Sequence, residues 1–231
     1  MPAMTQTGRR DALVALLTAA AGATNVLSLI ALGGVPASIM TANLVLVGLS
    51  VSRHQGTLGW HAGVALAGFV VGVFLASRLA RAHDKGADVT KRSVWPRPVT
   101  VAIAAEALPL AGVAVGWGLA GGHPAGAVQL TLCAAAGFAM GIQSAAVRAL
   151  GVAGLSSTFF TGALTERVRD LAGPGPLRWS RDATGLAALV AGAAAEGAVL
   201  TYGQDRLGPL LPLVLVCLVA ALSLRGFSRE G

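Results

Sequence analysis

The sequence predicts an all-α protein that crosses a membrane several times. Hydrophobic residues make up 55% of the chain, charged residues only 12%, and the mean hydropathy is +0.71. Several apolar runs reach the roughly 18 residues that a membrane-spanning helix needs. Period-2 alternation is absent, and Ala, Leu and Gly dominate the runs. The runs therefore indicate spanning helices rather than the strands of a barrel.

The apolar segments follow one another along the chain and form a single membrane domain. The segments predicted to cross or enter the membrane are 12–32, 36–52, 60–80, 98–120, 126–148, 155–165, 182–203 and 207–225. Residues 1–11 and 226–231 are predicted to be tails, and 83–98 is a polar, basic linker. Aromatic residues near segment ends are typical of the membrane interface; here they are Trp60, Trp95, Trp117, Trp179 and Tyr202.

One stretch of the sequence occurs twice. The first copy, LGGVPASIMTANL, covers 32–44, and the second, LGVAGLSSTFFTGALT, covers 150–165. Each copy begins with Leu-Gly and reaches Thr-x-x-Leu. Asn25 and Gln143 each lie seven residues before the Leu-Gly pair, as lone amides in apolar runs, and we predict the same role for both. The duplication predicts an internal repeat, with interrupted segments in corresponding places of the two halves.

The segment 155–165 decides the topology, because eleven residues cover only about half of a ~30 Å hydrocarbon core. We predict a re-entrant half-helix there, ended by the charged cluster 166–170, and by symmetry another at 36–52. Six spans with both termini inside then place 15 of the 17 Lys and Arg residues in the cytoplasm. Eight crossings would divide them nine to eight, and seven would divide them thirteen to four. The positive-inside rule excludes eight crossings and favours six over seven.

Six spans divide into two halves, 12–120 and 121–225, of three spans and one half-helix each. The first half starts inside and the second outside, so the predicted repeat is inverted. Many transporters are built in this way and bind their substrate near the bilayer midplane between the repeats. The lipid bilayer is the predicted partner. The net charge of +7 needs no nucleic acid to explain it, because Lys and Arg cluster between spans.

The two motifs resemble those of a known family, the DUF1275 proteins, also called YoaK-like or UPF0700 membrane proteins. The resemblance covers residues 12–225. In that family the first motif commonly reads Ser-x-Met-Thr-Gly-Asn-Leu after an acidic residue in the first helix, and the second pairs Gln-Asn with Thr-Gly-x-Leu-Thr. The matching positions are Ser38, Met40, Thr41, Asn43, Leu44, Gln143, Thr161, Gly162, Leu164 and Thr165.

Three positions depart from the family pattern. Ala42 replaces the Gly, Ser144 replaces the Asn, and Asn25 stands where Asp is common. The resemblance implies a multi-pass protein of the bacterial inner membrane without an assigned function, and it supplies no substrate.

Hydroxyl and amide side chains of the two motifs are the predicted solute-binding groups. A half-helix N-terminus exposes unpaired N–H groups and the positive end of its dipole, which suits a small polar or anionic solute. The alternative is that these side chains bridge helices or cap them. The candidates are Asn25, Ser38, Thr41, Asn43, Gln143, Ser157, Thr158 and Thr161.

Glu106 and Glu196 are acidic residues inside predicted spans, where charged groups are costly and usually functional. Either could carry a proton for coupling. We predict that Glu196 matters more, because its neighbours are all small. The alternative is a structural carboxyl group, either hydrogen-bonded while protonated or paired with Arg148.

The sequence contains no motif for catalysis, a cofactor or a metal. The four histidines are dispersed and close to loops, and both cysteines lie in apolar runs. We therefore predict no enzyme activity, cofactor or metal site. A small-solute transporter or channel is the favoured function, and a non-transporting scaffold or sensor is the alternative. A homo-oligomer is compatible with both.

The predicted topology is tested by labelling a single cysteine at Thr5 with a membrane-impermeant reagent, after Cys133 and Cys217 are replaced. Because the N-terminus is predicted to be cytoplasmic, we expect labelling only after the cells are permeabilised. Labelling of intact cells would establish seven spans instead.

Overall fold

The structure, a computed structural model, describes residues 5–84, 94–151, 160–172, 181–203 and 207–227. These residues form eight α-helices and no strand. Five of the helices, α1, α3, α4, α5 and α7, are long and apolar enough to cross a membrane, and α2 and α8 are shorter apolar helices. The predicted all-α, polytopic membrane protein is confirmed. The helices are α1 (Gln6–Ala31), α2 (Met40–Arg53), α3 (Gly56–Asp84), α4 (Arg97–Leu119), α5 (Gly126–Ala149), α6 (Phe160–Ala172), α7 (Arg181–Tyr202) and α8 (Leu210–Phe227).

The boundaries of the first three helices differ from the predicted segments by four residues or more. Helix α3 extends four residues beyond the predicted 60–80 at each end. Helix α1 begins at Gln6, inside the predicted tail 1–11, because the hydroxyl of Thr5 caps it by accepting a hydrogen bond from the Gly8 N–H (3.2 Å). Helix α2 begins only at Met40. The preceding Gly33 and Gly34 have φ angles of 104° and 76°, which a helix does not contain.

The prediction that the charged cluster 166–170 ends the second half-helix is wrong. Helix α6 includes the whole cluster and ends at Ala172. Glu and Arg are good helix formers, so the helix continues until the sequence reaches Gly173-Pro174, a pair that stops helices. Residues 152–159, half of the second motif, lie outside the described part of the chain.

Glycines let two pairs of helices touch backbone to backbone. In the α1–α7 pair, a Cβ atom on Gly22 would overlap the Leu189 carbonyl oxygen, and one on Gly192 would overlap that of Ala19. In the α3–α5 pair, Gly72 lies in the same way against Phe138. Small residues at helix interfaces permit such close approach, which strengthens van der Waals packing in lipid. We call these two contacts the glycine seams.

Side-chain hydrogen bonds give the direction of the helices. Gln143 of α5 donates to the Leu17 carbonyl of α1 (3.0 Å), and Gln129 donates to that of Ala31 (2.9 Å), so α1 and α5 are antiparallel. At the start of α7, the Arg181 Nε donates to Asp11 near the start of α1 (2.7 Å). Helices α1 and α7 are therefore parallel, and the order of contacts along the second seam makes α3 and α5 parallel as well.

One end of every long helix therefore lies on the same side of the bundle, and we call this side the basic end. Arg9 of α1 donates to the Leu222 carbonyl (2.8 Å), which places the C-terminal part of α8 there. Arg97 of α4 shares a cavity with Ala80 and Ala149, so the start of α4 and the ends of α3 and α5 meet there too. The described arginines at this end are Arg9, Arg10, Arg78, Arg81, Arg97, Arg148, Arg181 and Arg225.

Each of the two short helices follows and precedes long helices whose adjoining ends lie on one side of the bundle. Helix α2 joins the C-terminus of α1 to the N-terminus of α3, and both lie at the end opposite the basic end. Helix α6 joins the C-terminus of α5 to the N-terminus of α7, and both lie at the basic end. Helices of 14 and 13 residues are only about 20 Å long.

The described aromatic residues near the ends of the predicted segments form one exposed pair and one buried pair. Trp60 and Tyr202 are 70% and 88% exposed, as expected for the interface. Trp95 and Trp117 are instead buried, and the indole of Trp95 donates to Thr100 (2.9 Å). For these two, packing against neighbouring helices replaces contact with lipid headgroups.

The seams predict opposite effects for two glycines in the same helix. Gly192→Ala places a methyl group on the Ala19 carbonyl, so we expect a loss of about 1–3 kcal/mol in stability. Gly197→Ala enters open space and should leave stability equal or slightly higher. Thermal unfolding of the purified protein in detergent measures both. Equal melting temperatures for the two variants would contradict the α1–α7 seam.

Candidate functional site

Asn25 and Ser38 of the first motif are bonded to each other. The Asn25 amide donates to the Ser38 hydroxyl (2.8 Å), and the Asn25 carbonyl accepts from the Ser38 backbone N–H (2.9 Å). Both residues are buried. The pair fixes the loop between α1 and α2 against α1, because a double hydrogen bond in an apolar surrounding is costly to break.

Asn43 holds the same loop from its other side. Its amide donates to the Pro36 carbonyl (2.8 Å), and the residue is fully buried. Helix α2 starts at the N-cap Ile39, which makes no side-chain capping bond. Ser38 therefore holds the loop and does not cap α2. We call the hydrogen-bonded pair of Asn25 and Ser38 the clamp.

Not all of the predicted site residues come together. Asn25, Ser38 and Asn43 form one buried cluster around the loop, whereas Thr41 lies exposed on α2 and Thr161 exposed on α6. Ser157 and Thr158 lie outside the described residues. None of the predicted site residues that the structure describes lines the cavity at the basic end.

Gln143 has a different task from Asn25, although the sequence predicts the same role for both. It is fully buried, and its amide donates to the Leu17 carbonyl of α1. Its own carbonyl oxygen has no partner among the described residues. Gln143 thus bridges the first helices of the two halves, whereas Asn25 binds a loop within one half.

Glu106 of α4 and Glu196 of α7 are both fully buried inside candidate spans. Neither carboxyl group has a hydrogen-bond partner among the residues that the structure describes. The alternative of a carboxyl group paired with Arg148 is not found for either residue, and Arg148 is exposed. Burial of an unpaired carboxylate is very costly, so such a group takes up a proton, a counter-ion or a ligand.

The helices packed against α7 carry their charges at a distance along the chain from its buried carboxyl. Helix α1 has Arg9, Arg10 and Asp11 in its first turns and no charged residue from Ala12 to Ala31. Helix α6 has its four charged residues between Glu166 and Asp170. Glu196 lies about 22 Å from the start of α7 and about 9 Å from its end. It is therefore closer to the end opposite the basic end.

His61 is buried in α3, whereas the sequence predicted only a histidine close to a loop. Its Nδ1 lies 2.8 Å from the Thr57 carbonyl, and its ring fills the space that a side chain at Gly33 would need. The Cys133 thiol of α5 donates to the His61 carbonyl (3.7 Å). His61 therefore ties the first motif to α3 and α5. The apolar run around it was the only signal in the sequence.

Comparison with known proteins identifies the family. The model of the family described as "Protein of unknown function (DUF1275)" matches residues 13–223. The chain belongs to the DUF1275 family. It is also 32% identical over 170 residues to the UPF0700 transmembrane protein YoaK of Bacillus subtilis (strain 168), an alignment that covers 74% of this chain and 71% of that protein. No solved structure matches the chain.

In the DUF1275 pattern Asp is common at position 25, where this chain has Asn. The hydrogen bonds between Asn25 and Ser38 explain why Asn can stand there. An Asp there would accept from both the backbone N–H and the hydroxyl of Ser38. Asn25 accepts from the N–H in the same way and reverses the second bond, donating to the hydroxyl. The negative charge is therefore not needed to hold the loop.

The clamp predicts that Asn25→Asp folds, whereas Asn25→Leu loses about 1–3 kcal/mol of stability because the buried Ser38 groups are left unpaired. Thermal unfolding in detergent measures both variants. Thr41→Val, on the exposed face of α2, is the matched control and should be neutral. A double variant, Asn25→Leu with Ser38→Ala, should cost less than the sum of the single losses. Strict additivity would contradict the pairing.

Proposed function

We propose that this DUF1275 member is a proton-coupled transporter of a small polar or anionic solute, built from two inverted repeats. The observation that carries the proposal is the pair of fully buried carboxyl groups in spanning helices, Glu106 and Glu196, without partners among the described residues. Intramembrane acidic residues of this kind mark ion and proton pathways.

The glycine seams support the repeat. Gly22 lies against the carbonyl of Leu189, and Gly141 lies against that of Phe69. These two contacts are related by a shift of 119 residues between α1 and α5 and of 120 residues between α7 and α3. The same two shifts relate the contact of Gly72 with Phe138 to that of Gly192 with Ala19.

The helix pairing supports the same correspondence. If α1–α4 correspond to α5–α8 in order, the α2–α3 contact matches α6–α7, the α4–α5 contact matches α8–α1, and α1–α5 and α4–α8 match themselves. The shift of 119 residues equates Gly22 with Gly141, and α1 is antiparallel to α5. A two-fold axis relating antiparallel helices is perpendicular to them, which in a spanning bundle means that it lies in the membrane plane.

The contacts also suggest which parts move. Each glycine seam joins a first helix to the third helix of the other half, so α1, α6, α7 and α8 form one bundle, and α2, α3, α4 and α5 form another. The bundles meet chiefly along α1–α5 and α4–α8. Rocking of rigid bundles about a fixed site is the common way in which inverted repeats alternate access. The Gln143–Leu17 hydrogen bond crosses this interface.

Each bundle carries one buried carboxyl group. Glu196 is nearer the end opposite the basic end, and Glu106 lies about 14 Å from the start of α4 at the basic end. The shift of 120 residues relates Glu196 of α7 to Ala76 of α3. The glycine contacts of the two helices match, but only α7 has a carboxyl group at this position.

A non-transporting scaffold or sensor is the second candidate. It is favoured by the first motif, whose Asn25, Ser38 and Asn43 are bonded within the protein and hold a loop. In that case the motif would stabilise the fold, and neither carboxyl group would bind a translocated species. The two candidates differ in whether any flux exists.

The transport proposal predicts that Glu196→Gln abolishes pH-driven flux in proteoliposomes, because Gln keeps the shape of the side chain but cannot bind and release a proton. Uptake of a panel of small polar and anionic solutes, with and without a pH gradient, measures this. Expression and melting temperature should stay near those of the wild type. Glu106→Gln is the comparison variant and should have the smaller effect.

Two outcomes would count against the proposal. Unchanged pH dependence in the Glu196→Gln variant would remove proton coupling. Absence of any flux in the wild type, together with loss of stability in Glu196→Ala, would favour the scaffold.

A further inference from the structure

A cavity of about 310 Å³ opens at the basic end between α3, α4 and α5. Its walls are almost entirely apolar and come from all three helices, mostly from alanine side chains. Among the described residues that line it, Arg97 is the charged one. The apolar lining includes Ala76, Leu79, Val99, Ala102, Ala145 and Ala146. Neither Asn25 and Ser38 nor the two buried carboxyl groups are among the residues that line it.

One exposed arginine lines this cavity, and a second lies next to a lining residue. Arg97 is exposed in the first turn of α4, where the helix dipole adds partial positive charge. Arg148 is exposed on α5, next to the lining residue Ala149 and one turn after Ala145. An apolar groove between spanning helices with a cationic mouth is complementary to a molecule with an apolar chain and an anionic head.

We propose that this cavity binds one anionic phospholipid, with an acyl chain along the alanine-lined groove and the headgroup phosphate at Arg97. Basic pockets between transmembrane helices on the cytoplasmic side are suited to anionic headgroups, which are enriched in that leaflet. A guanidinium group matches phosphate oxygens better than a point charge does. The groove gives the chain a surface without polar groups. The site does not depend on whether the protein transports a solute.

The experiment is lipid retention measured by native mass spectrometry of the detergent-solubilised protein. Phosphatidylglycerol and phosphatidylcholine of the same chain length are added in equal amounts. We expect the wild type to retain phosphatidylglycerol in preference. Arg97→Gln should lower that preference about fivefold, the factor that one cation near the membrane surface contributes. Arg97→Lys should keep most of it.

Two further variants separate the head from the chain. Ala145→Phe fills the groove and should reduce retention of phosphatidylglycerol while Arg97 is intact. Arg53→Gln, at the opposite end of the bundle, removes an exposed arginine and should leave retention unchanged. Only variants whose melting temperature matches that of the wild type are compared, so that loss of the fold is not mistaken for loss of lipid.

Inorganic phosphate and glycerol phosphate are added as competitors. Neither should displace the lipid at concentrations near that of the lipid, because neither fills the groove. Equal retention of the two lipids by the wild type would overturn the proposal without any variant. Displacement by phosphate alone, or an Arg97→Gln variant that retains lipid like the wild type, would overturn it as well.

Discussion

Contact between helix backbones at glycine is the constraint on which the rest of this structure depends. In lipid, apolar side chains gain little by leaving one apolar surrounding for another, so helices associate through close van der Waals packing. Gly22 and Gly192 join α1 to α7, and Gly72 and Gly141 join α3 to α5. Each seam joins helices far apart in the chain, so the two halves of the sequence are interleaved rather than placed side by side.

Polar side chains connect the two glycine seams and occupy the space between them. Gln143 bridges α5 to α1, and Asn25 holds the α1–α2 loop through Ser38, each with well-formed hydrogen bonds. Glu106 and Glu196 have no such partner among the described residues, although both are fully buried. These two buried carboxyl groups place ionisable chemistry where charge is most costly.

Sequence alone predicted the helical class, the long spanning helices and the burial of both carboxyl groups, because apolar runs and their interruptions are local features. It predicted the wrong end for α6, since charged residues that leave lipid can still continue a helix. It also equated Asn25 with Gln143, because spacing does not reveal which side of a helix meets which neighbour. The burial of His61 depends on Gly33 approaching it from another segment, a contact that no local pattern contains.

We propose that Glu106 and Glu196, whose carboxyl groups have no partner among the described residues, each hold a proton inside the bundle. Infrared spectroscopy of the protein in lipid membranes tests it directly, because a protonated carboxyl group absorbs at a frequency distinct from that of a carboxylate. We expect a protonated-acid band at neutral pH that weakens in Glu106→Gln and in Glu196→Gln and is lost in the double variant. A band that is absent from the wild type, or unchanged in the double variant, would contradict the claim.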